Sequence, residues 1–144
     1  MKASENAIRV IKRFEGMREE AYLCPAGVWT IGFGHTAGVK KGDKIDMYTA
    51  TVYLQDDIRK FEDAIDKLVK VKLNKNQFDA LVSFVFNVGA GAFEKSTMLK
   101  LINSGNFSLA ANEFDKWVYS KGTKLEGLIN RRKAEKELFL ALNT

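Results

Sequence analysis

Residues Phe14–Thr36 read FEGMREEAYLCPAGVWTIGFGHT, and this stretch decides how the rest of the chain is organised. Just upstream, Ala7, Ile8, Ile11 and Phe14 recur at the spacing of one helical face, with Ser4 placed to cap the first turn. The pattern predicts a short helix that carries Glu15 on its last turn and stops at Gly16. Downstream, Ala21-Tyr22-Leu23 and Val28-Trp29-Thr30-Ile31 are β-rich pieces joined by Cys24-Pro25-Ala26-Gly27, which has turn composition. Gly27, Gly32, Gly34 and Gly38 crowd the same segment, so it reads as a small irregular sheet, where loops on a rigid frame carry function. Eight residues separate Glu15 from Cys24 and five separate Cys24 from Thr30. A proton donor at a helix end therefore faces a hairpin able to hold water.

Beyond the hairpin the chain turns helical. After Thr49, Val52, Leu54, Ile58, Phe61, Ile65, Leu68 and Val69 suit one helix of about 20 residues with a charged outer face, long enough to connect two lobes. Asn74 followed by Gln77 has capping-box spacing and opens a helix over Gln77–Val88. That helix is apolar nearly all round, through Phe78, Leu81, Val82, Phe84, Val85 and Phe86, which makes it the candidate core helix. Further helices are predicted over Ser96–Asn103, Ser108–Val118 and Gly127–Leu142, punctuated by Gly105 and Gly122. Long repeats and low-complexity tracts are absent from the sequence, so one continuous fold with two lobes is expected.

The bulk composition narrows the chemistry without naming it. With 144 residues, 46% of them hydrophobic and 11% aromatic, the chain can build a single core. A single Cys and a single His rule out an intrachain disulfide and leave a three-ligand zinc site dependent on carboxylates, so neither metal nor cofactor is expected. Lys and Arg outnumber Asp and Glu by 23 to 18, a formal charge of +5. That excess suits a soluble surface or a polyanionic partner such as a cell wall, and no basic-aromatic repeat or zinc-finger spacing points to nucleic acid. The N-terminal MKASENAIRVIKRFEG lacks a signal-peptide run, and nowhere do about 18 uncharged apolar residues follow one another, so no membrane anchor is expected.

Three motifs in this order, FEG…AYLCPAGVWTIGFGHT, LNKNQFDALVSFVFNVG and GLINRRKAEKELF, resemble the phage-type lysozymes, the endolysins of glycoside hydrolase family 24. The resemblance covers nearly the whole chain. It implies an α+β, lysozyme-like fold across residues 1–144. A small β-containing lobe would span about 14–50, a connecting helix about 49–69, and a mainly helical lobe 1–13 plus 70–144, with a cleft between the lobes. The implied reaction is hydrolysis of the β-1,4 bond between N-acetylmuramic acid and N-acetylglucosamine in peptidoglycan, for lysis of a host cell. By the same resemblance Glu15 matches the family's catalytic acid, Thr30 its motif threonine, and Cys24 stands where many members carry Asp, as in the lambdoid-phage subgroup. Phe86 and Ser96 match positions that face substrate, and Arg131 or Arg132 would reach the cleft base and pair with Glu15. A monomer is implied that waits in the host cytoplasm until a holin opens the membrane, then acts in the periplasm or cell wall.

The residues also support a mechanism by their own chemistry. Glycoside cleavage needs a protonated acid, and a glutamate of ordinary pKa, about 4.3, is ionised at neutral pH. Acid duty at Glu15 therefore calls for burial beside an apolar wall, with Phe14, Trp29 and Phe33 as the expected wall. The plain alternative is a helix-end carboxylate paired with Arg18 or Arg131. A thiol of pKa about 8.5 is only about 3% thiolate at pH 7, so either the Cys24 thiol is lowered or Cys24 acts as a neutral hydrogen-bonding group beside Thr30. The second is the favoured expectation, with Thr30 and Cys24 positioning water opposite Glu15. His35, after two glycines, is expected to support the turn by hydrogen bonding, and Arg131 and Arg132 on their own read as solvated basic surface. Two other functions fit parts of the pattern: a cysteine-dependent amidase or peptidase using Cys24 and His35, and a non-catalytic peptidoglycan-binding module.

Overall fold

The computed structural model describes residues 1–142. Helix α1 covers Glu5–Glu15, capped by Ser4, whose extended backbone lets its hydroxyl accept from the Asn6 amide. Ser4 is itself pinned by Asp79, which accepts from its amide at 2.8 Å and from its hydroxyl, so the start of α1 is tied to the core helix 75 residues away. Gly16 ends α1 with φ +70°, a left-handed conformation that a side chain resists.

Strand β1 (Arg18–Leu23) pairs antiparallel with β2 (Trp29–Gly32), with Leu23 opposite Trp29 and Tyr22 opposite Thr30. The strand begins three residues before the β-rich core suggested. The reason is a third edge: the Ala21 amide donates to Asp43 and the Ile45 amide to the Glu19 carbonyl, so the loop after the hairpin holds Glu19–Ala21 extended. Helix α2 (Met47–Leu68) starts two residues before Thr49 because Asp46 caps it, accepting from the Thr49 amide at 2.8 Å.

Helix α3 (Lys75–Val88) opens on the expected capping box, with the Asn74 and Gln77 side chains and backbone amides bonded reciprocally at 2.7 and 2.9 Å. Every residue from Phe78 to Val85 is buried, which places α3 at the centre of the core. Phe84 there meets Phe93, Phe114 and Trp117 edge-on, each contact adding to the area it buries. The remaining helices, α4 (Ala90–Glu94), α5 (Thr97–Asn103), α6 (Phe107–Glu113) and α7 (Glu126–Leu140), wrap this centre, α7 lying most extensively along α3.

Two features depart from the sequence reading. The helix expected over Ser108–Val118 stops at Glu113 and tightens into a 3-10 turn, Phe114–Lys116. The chain then forms a second hairpin, β3 (Tyr119–Ser120) with β4 (Thr123–Lys124). Its two central residues, Lys121 and Gly122, both have positive φ, 51° and 80°, which matches the right-handed strand twist of a two-residue turn. Short α4, capped by Gly89, was also not foreseen, since five residues show no periodicity.

Removing the α3 cap by Asn74→Ala is expected to destabilise the fold by about 1 kcal/mol in urea unfolding with an unchanged denaturant slope. A loss below about 0.3 kcal/mol would show that the cap is redundant with the packing of α3.

Candidate active site

Glu15 sits where α1 ends, and its carboxylate reaches Arg131 of α7: Oε2 lies 2.6 Å from Nη1 across 116 residues of sequence. The two partners differ in exposure, 22% for the Glu15 side chain and 3% for Arg131. Arg131 on its own chemistry reads as solvated surface and by the resemblance as the partner of Glu15; it is buried and bonded to Glu15. Burial is tolerated because its donors are met: Nε bonds Glu135 at 3.1 Å and Nη2 donates to the Ser83 carbonyl at 2.9 Å. Arg132 is buried as well, bonding Glu135 at 2.5 Å, the Trp117 carbonyl at 2.8 Å and the Asn87 side-chain oxygen. Burial pushes the Arg132 guanidinium below its ordinary range, and Glu135 opposes that push. Arg18, the other partner considered for Glu15, lies over the Tyr22 ring instead.

The apolar wall expected around Glu15 is only partly present. Phe14 shares an open pocket of about 490 Å³ with Glu15, Arg131, Asn87, Leu125, Glu126, Gly127 and Leu128. Phe33, by contrast, is buried in the core with the Lys12 ammonium over its ring, and Trp29 lies on β2. The loop after β2 also passes close to the carboxylate. A Cβ on Gly34 would stand 3.2 Å from Glu15 Oε1 and 4.0 Å from the Phe86 ring, and φ of +80° also disfavours a side chain. Glycine is required here by approach and by conformation together.

Cys24 opens the tight turn of the hairpin, donating its amide to the Val28 carbonyl at 3.0 Å and accepting from the Gly27 amide at 2.8 Å. Hydrogen bonds from the Val28 amide first and the Ala26 amide second, then the Thr30 hydroxyl and the Gly27 amide, hold the Cys24 thiol below its ordinary range against a smaller opposing effect of burial. That direction agrees with the lowered-thiol alternative, and backbone donors gathered by a four-residue turn leave no trace in residue type. Thr30 is buried, and its hydroxyl donates to the Val28 carbonyl at 3.0 Å.

The other candidates divide. Phe86 is half-buried, edge-on to Phe61 with ring centres 5.4 Å apart, and lies beside Gly34 and hence beside Glu15. Ser96, expected to face substrate, is 5% exposed and commits its hydroxyl to the start of α5, accepting from the Leu99 amide at 3.0 Å and donating to the Phe93 carbonyl at 2.7 Å. His35 bonds Asp57 of α2 at 2.8 Å and stacks on Tyr53, while its backbone pairs with Ile31. It ties the glycine loop to α2, and among the described residues no hydrogen bond joins it to Cys24, as an amidase pair would require. No cluster of three or more potential metal ligands occurs among the described residues. Sequence reasoning missed Asn87 and Leu125–Leu128; a polar residue on the last turn of an otherwise apolar helix was the signal available for Asn87.

Comparison with known proteins follows the same outline. A family model described as phage lysozyme matches residues 12–135. An endolysin of Acyrthosiphon pisum secondary endosymbiont phage 1 is 47% identical over 143 residues, 96% of this chain and 98% of the relative. An endolysin of Bacillus phage B103 is 46% identical over 143 residues, 97% of this chain but 54% of that longer relative. Among solved structures, the muramidase domain of SpmX from Asticaccaulis excentricus has a TM-score of 0.93 at 40% identity, covering 98% of this chain and 99% of the other.

Alkylation of Cys24 by iodoacetamide should reach its rate plateau at a lower pH than an ordinary cysteine, since the thiolate is the reactive form and its proton is held less tightly. A plateau at or above the free-cysteine range would show that the turn amides do not act on the sulfur.

Proposed function

The chain belongs to the phage lysozyme family and is a peptidoglycan-degrading glycoside hydrolase, and from that premise we propose that Glu15 is its general acid and that Thr30 and Cys24 hold the attacking water. The observation that carries this reading is the Glu15–Arg131 contact at the edge of an open pocket, under a loop whose glycine admits the carboxylate. The bond cleaved is the β-1,4 linkage from N-acetylmuramic acid to N-acetylglucosamine. Glu15 delivers its proton to the leaving sugar oxygen, so the carboxyl must be neutral at that moment. Arg131 Nη1 lies 2.6 Å from the Glu15 carboxylate, so it meets the charge left behind once the proton has been delivered.

On the opposite face, the attacking water donates one proton to the Thr30 hydroxyl oxygen, whose own proton goes to the Val28 carbonyl, and directs the other at the Cys24 sulfur. Its oxygen attacks the anomeric carbon while its proton passes to the thiolate that the Val28 and Ala26 amides favour. Displacement by water inverts the anomeric configuration, whereas attack by sulfur itself would leave a covalent glycosyl-enzyme and retain it. Phe86 offers an apolar face beside the acid. Ser96, committed to its helix cap, has no part in this scheme.

The wider reading follows from the same premise. The region 14–50 would act as the small lobe, residues 49–69 as the connector, and 1–13 with 70–144 as the helical lobe, positions 143 and 144 lying outside the described residues. The enzyme would work as a monomer, reach the wall only after a holin opens the membrane, and act in the periplasm or cell wall. Relatives named endolysins support the wall as the site of action, and no helix among the described residues is long and apolar enough to cross a membrane.

Glu15→Gln is expected to reduce reducing-end release from purified peptidoglycan by at least about a thousandfold while the protein still melts cooperatively and binds the wall. Cys24→Ala should lose about a hundredfold and Cys24→Asp should recover most of that, since a carboxylate also accepts the water's proton. Parent-like turnover by Glu15→Gln would remove the acid assignment, and a retained anomer in the first product would remove the water-held-by-thiolate scheme.

A further inference from the structure

Behind Glu15 lie three more charges, Arg131, Arg132 and Glu135, of which the reaction scheme uses Arg131 alone. Glu135 is 0% exposed, yet it carries a negative charge between two buried arginines, bonding Arg131 Nε through one oxygen at 3.1 Å and Arg132 Nη1 through the other at 2.5 Å. The oxygen facing Arg131 also accepts from the Ser83 hydroxyl at 2.5 Å, so both oxygens are held. A carboxylate excluded from water is costly unless paired, and one pair would have sufficed for either arginine alone. Two arginines and two glutamates in line give a neutral cluster with Glu15 at its solvent end. From α1 the cluster is met by Glu15 alone, from α3 by Ser83 and the Asn87 side chain, and from the segment after the 3-10 turn by the Trp117 carbonyl. Of the charged neighbours on the packed elements, Glu113 pairs with Lys116, Lys136 with Asp115 and Asp79 bonds Ser4, while Glu126 at the start of α7 lines the same pocket as Glu15 in every variant compared below. No other ion pair reaches either arginine among the described residues.

We infer that Glu135 is a positioning residue for the hydrolysis, aiming Arg131 at Glu15 and, by cancelling one of the two arginine charges, setting how readily Glu15 takes up the proton it donates. Glu135 touches no substrate and works through Arg131. The inference rests on Glu15 being the acid. It goes beyond that assignment by making the Glu15 proton depend on a residue on the far side of a buried guanidinium. With Glu135 neutral, the cluster carries one excess positive charge behind Glu15 and the acid form is disfavoured. With Arg132 neutral, the excess is negative and the acid form is favoured. Removing both restores balance.

The sign reversal supplies the test. The pH dependence of kcat/KM on purified peptidoglycan is measured for the parent, Glu135→Gln, Arg132→Gln and the double variant, each checked for a cooperative melt. The limb that Glu15 sets should move toward acid by about half a pH unit or more in Glu135→Gln, roughly a threefold loss at a fixed pH above it. It should move toward alkali in Arg132→Gln and return to within about 0.2 units of the parent in the double variant. If Glu135→Gln does not fold, Arg132→Gln and the charge-balanced double variant still give opposite predictions, a displaced limb and a restored one. Limbs that stay in place while only melting temperatures change would overturn the inference and leave Glu135 a purely structural residue. An active Glu15→Gln control would overturn the acid assignment and this inference with it, whereas an inactive control with unmoved limbs would overturn the inference alone.

Discussion

The Arg131–Glu15 contact is the constraint around which the molecule is arranged. It joins the last turn of the first helix to the first turns of the last one, and it is short because Arg131 cannot retreat. Its remaining donors are spent on Ser83 and Glu135, in a setting too dry for water to replace them. In such a setting a lost partner leaves a buried charge bare, which costs far more than a surface ion pair gains. The ends of the chain are thereby committed to one another through the core helix that lies between them.

That commitment positions a site made from parts that are weak individually. The end of α1 is held by Gly16 and by the anchoring of Ser4 on Asp79, so Glu15 emerges at a fixed place. The loop carrying Gly34 is held against α2 by the His35–Asp57 bond and the Tyr53 stack, so the glycine rests on the carboxylate. The hairpin turn, closed by Cys24 and Val28, gathers amides around a sulfur without needing a cation. Under the proposed scheme, each device would lower the reorganisation needed when charge develops in the reaction, which is where preorganised sites gain their advantage.

Much of this was legible in the amino-acid order, and the boundary of legibility has a physical cause. Glu15 at a helix end, the Cys24 turn between two β pieces and the capping box at Asn74 are local features, so residue type and spacing sufficed to find them. Arg131 and Arg132 read as surface because composition weighs arginine against water, whereas their burial depends on Glu135, Ser83 and Asn87 arriving from other turns and another helix. Ser96 differs again: the resemblance matches it to a substrate-facing position, whereas its hydroxyl serves the start of α5, a bond that residue type alone does not announce. The second hairpin was passed over because its strands are two residues long, and Lys121 with positive φ gives a weaker signal than asparagine or aspartate before glycine.

The identity of the new ends in digested peptidoglycan tests the account most directly. Mass spectrometry of the soluble fragments, after borohydride reduction has marked their reducing ends, should find reduced N-acetylmuramic acid there with the stem peptides still attached. Fragments ending in reduced N-acetylglucosamine would contradict the assigned bond, and free stem peptides with intact glycan strands would contradict glycoside hydrolysis altogether.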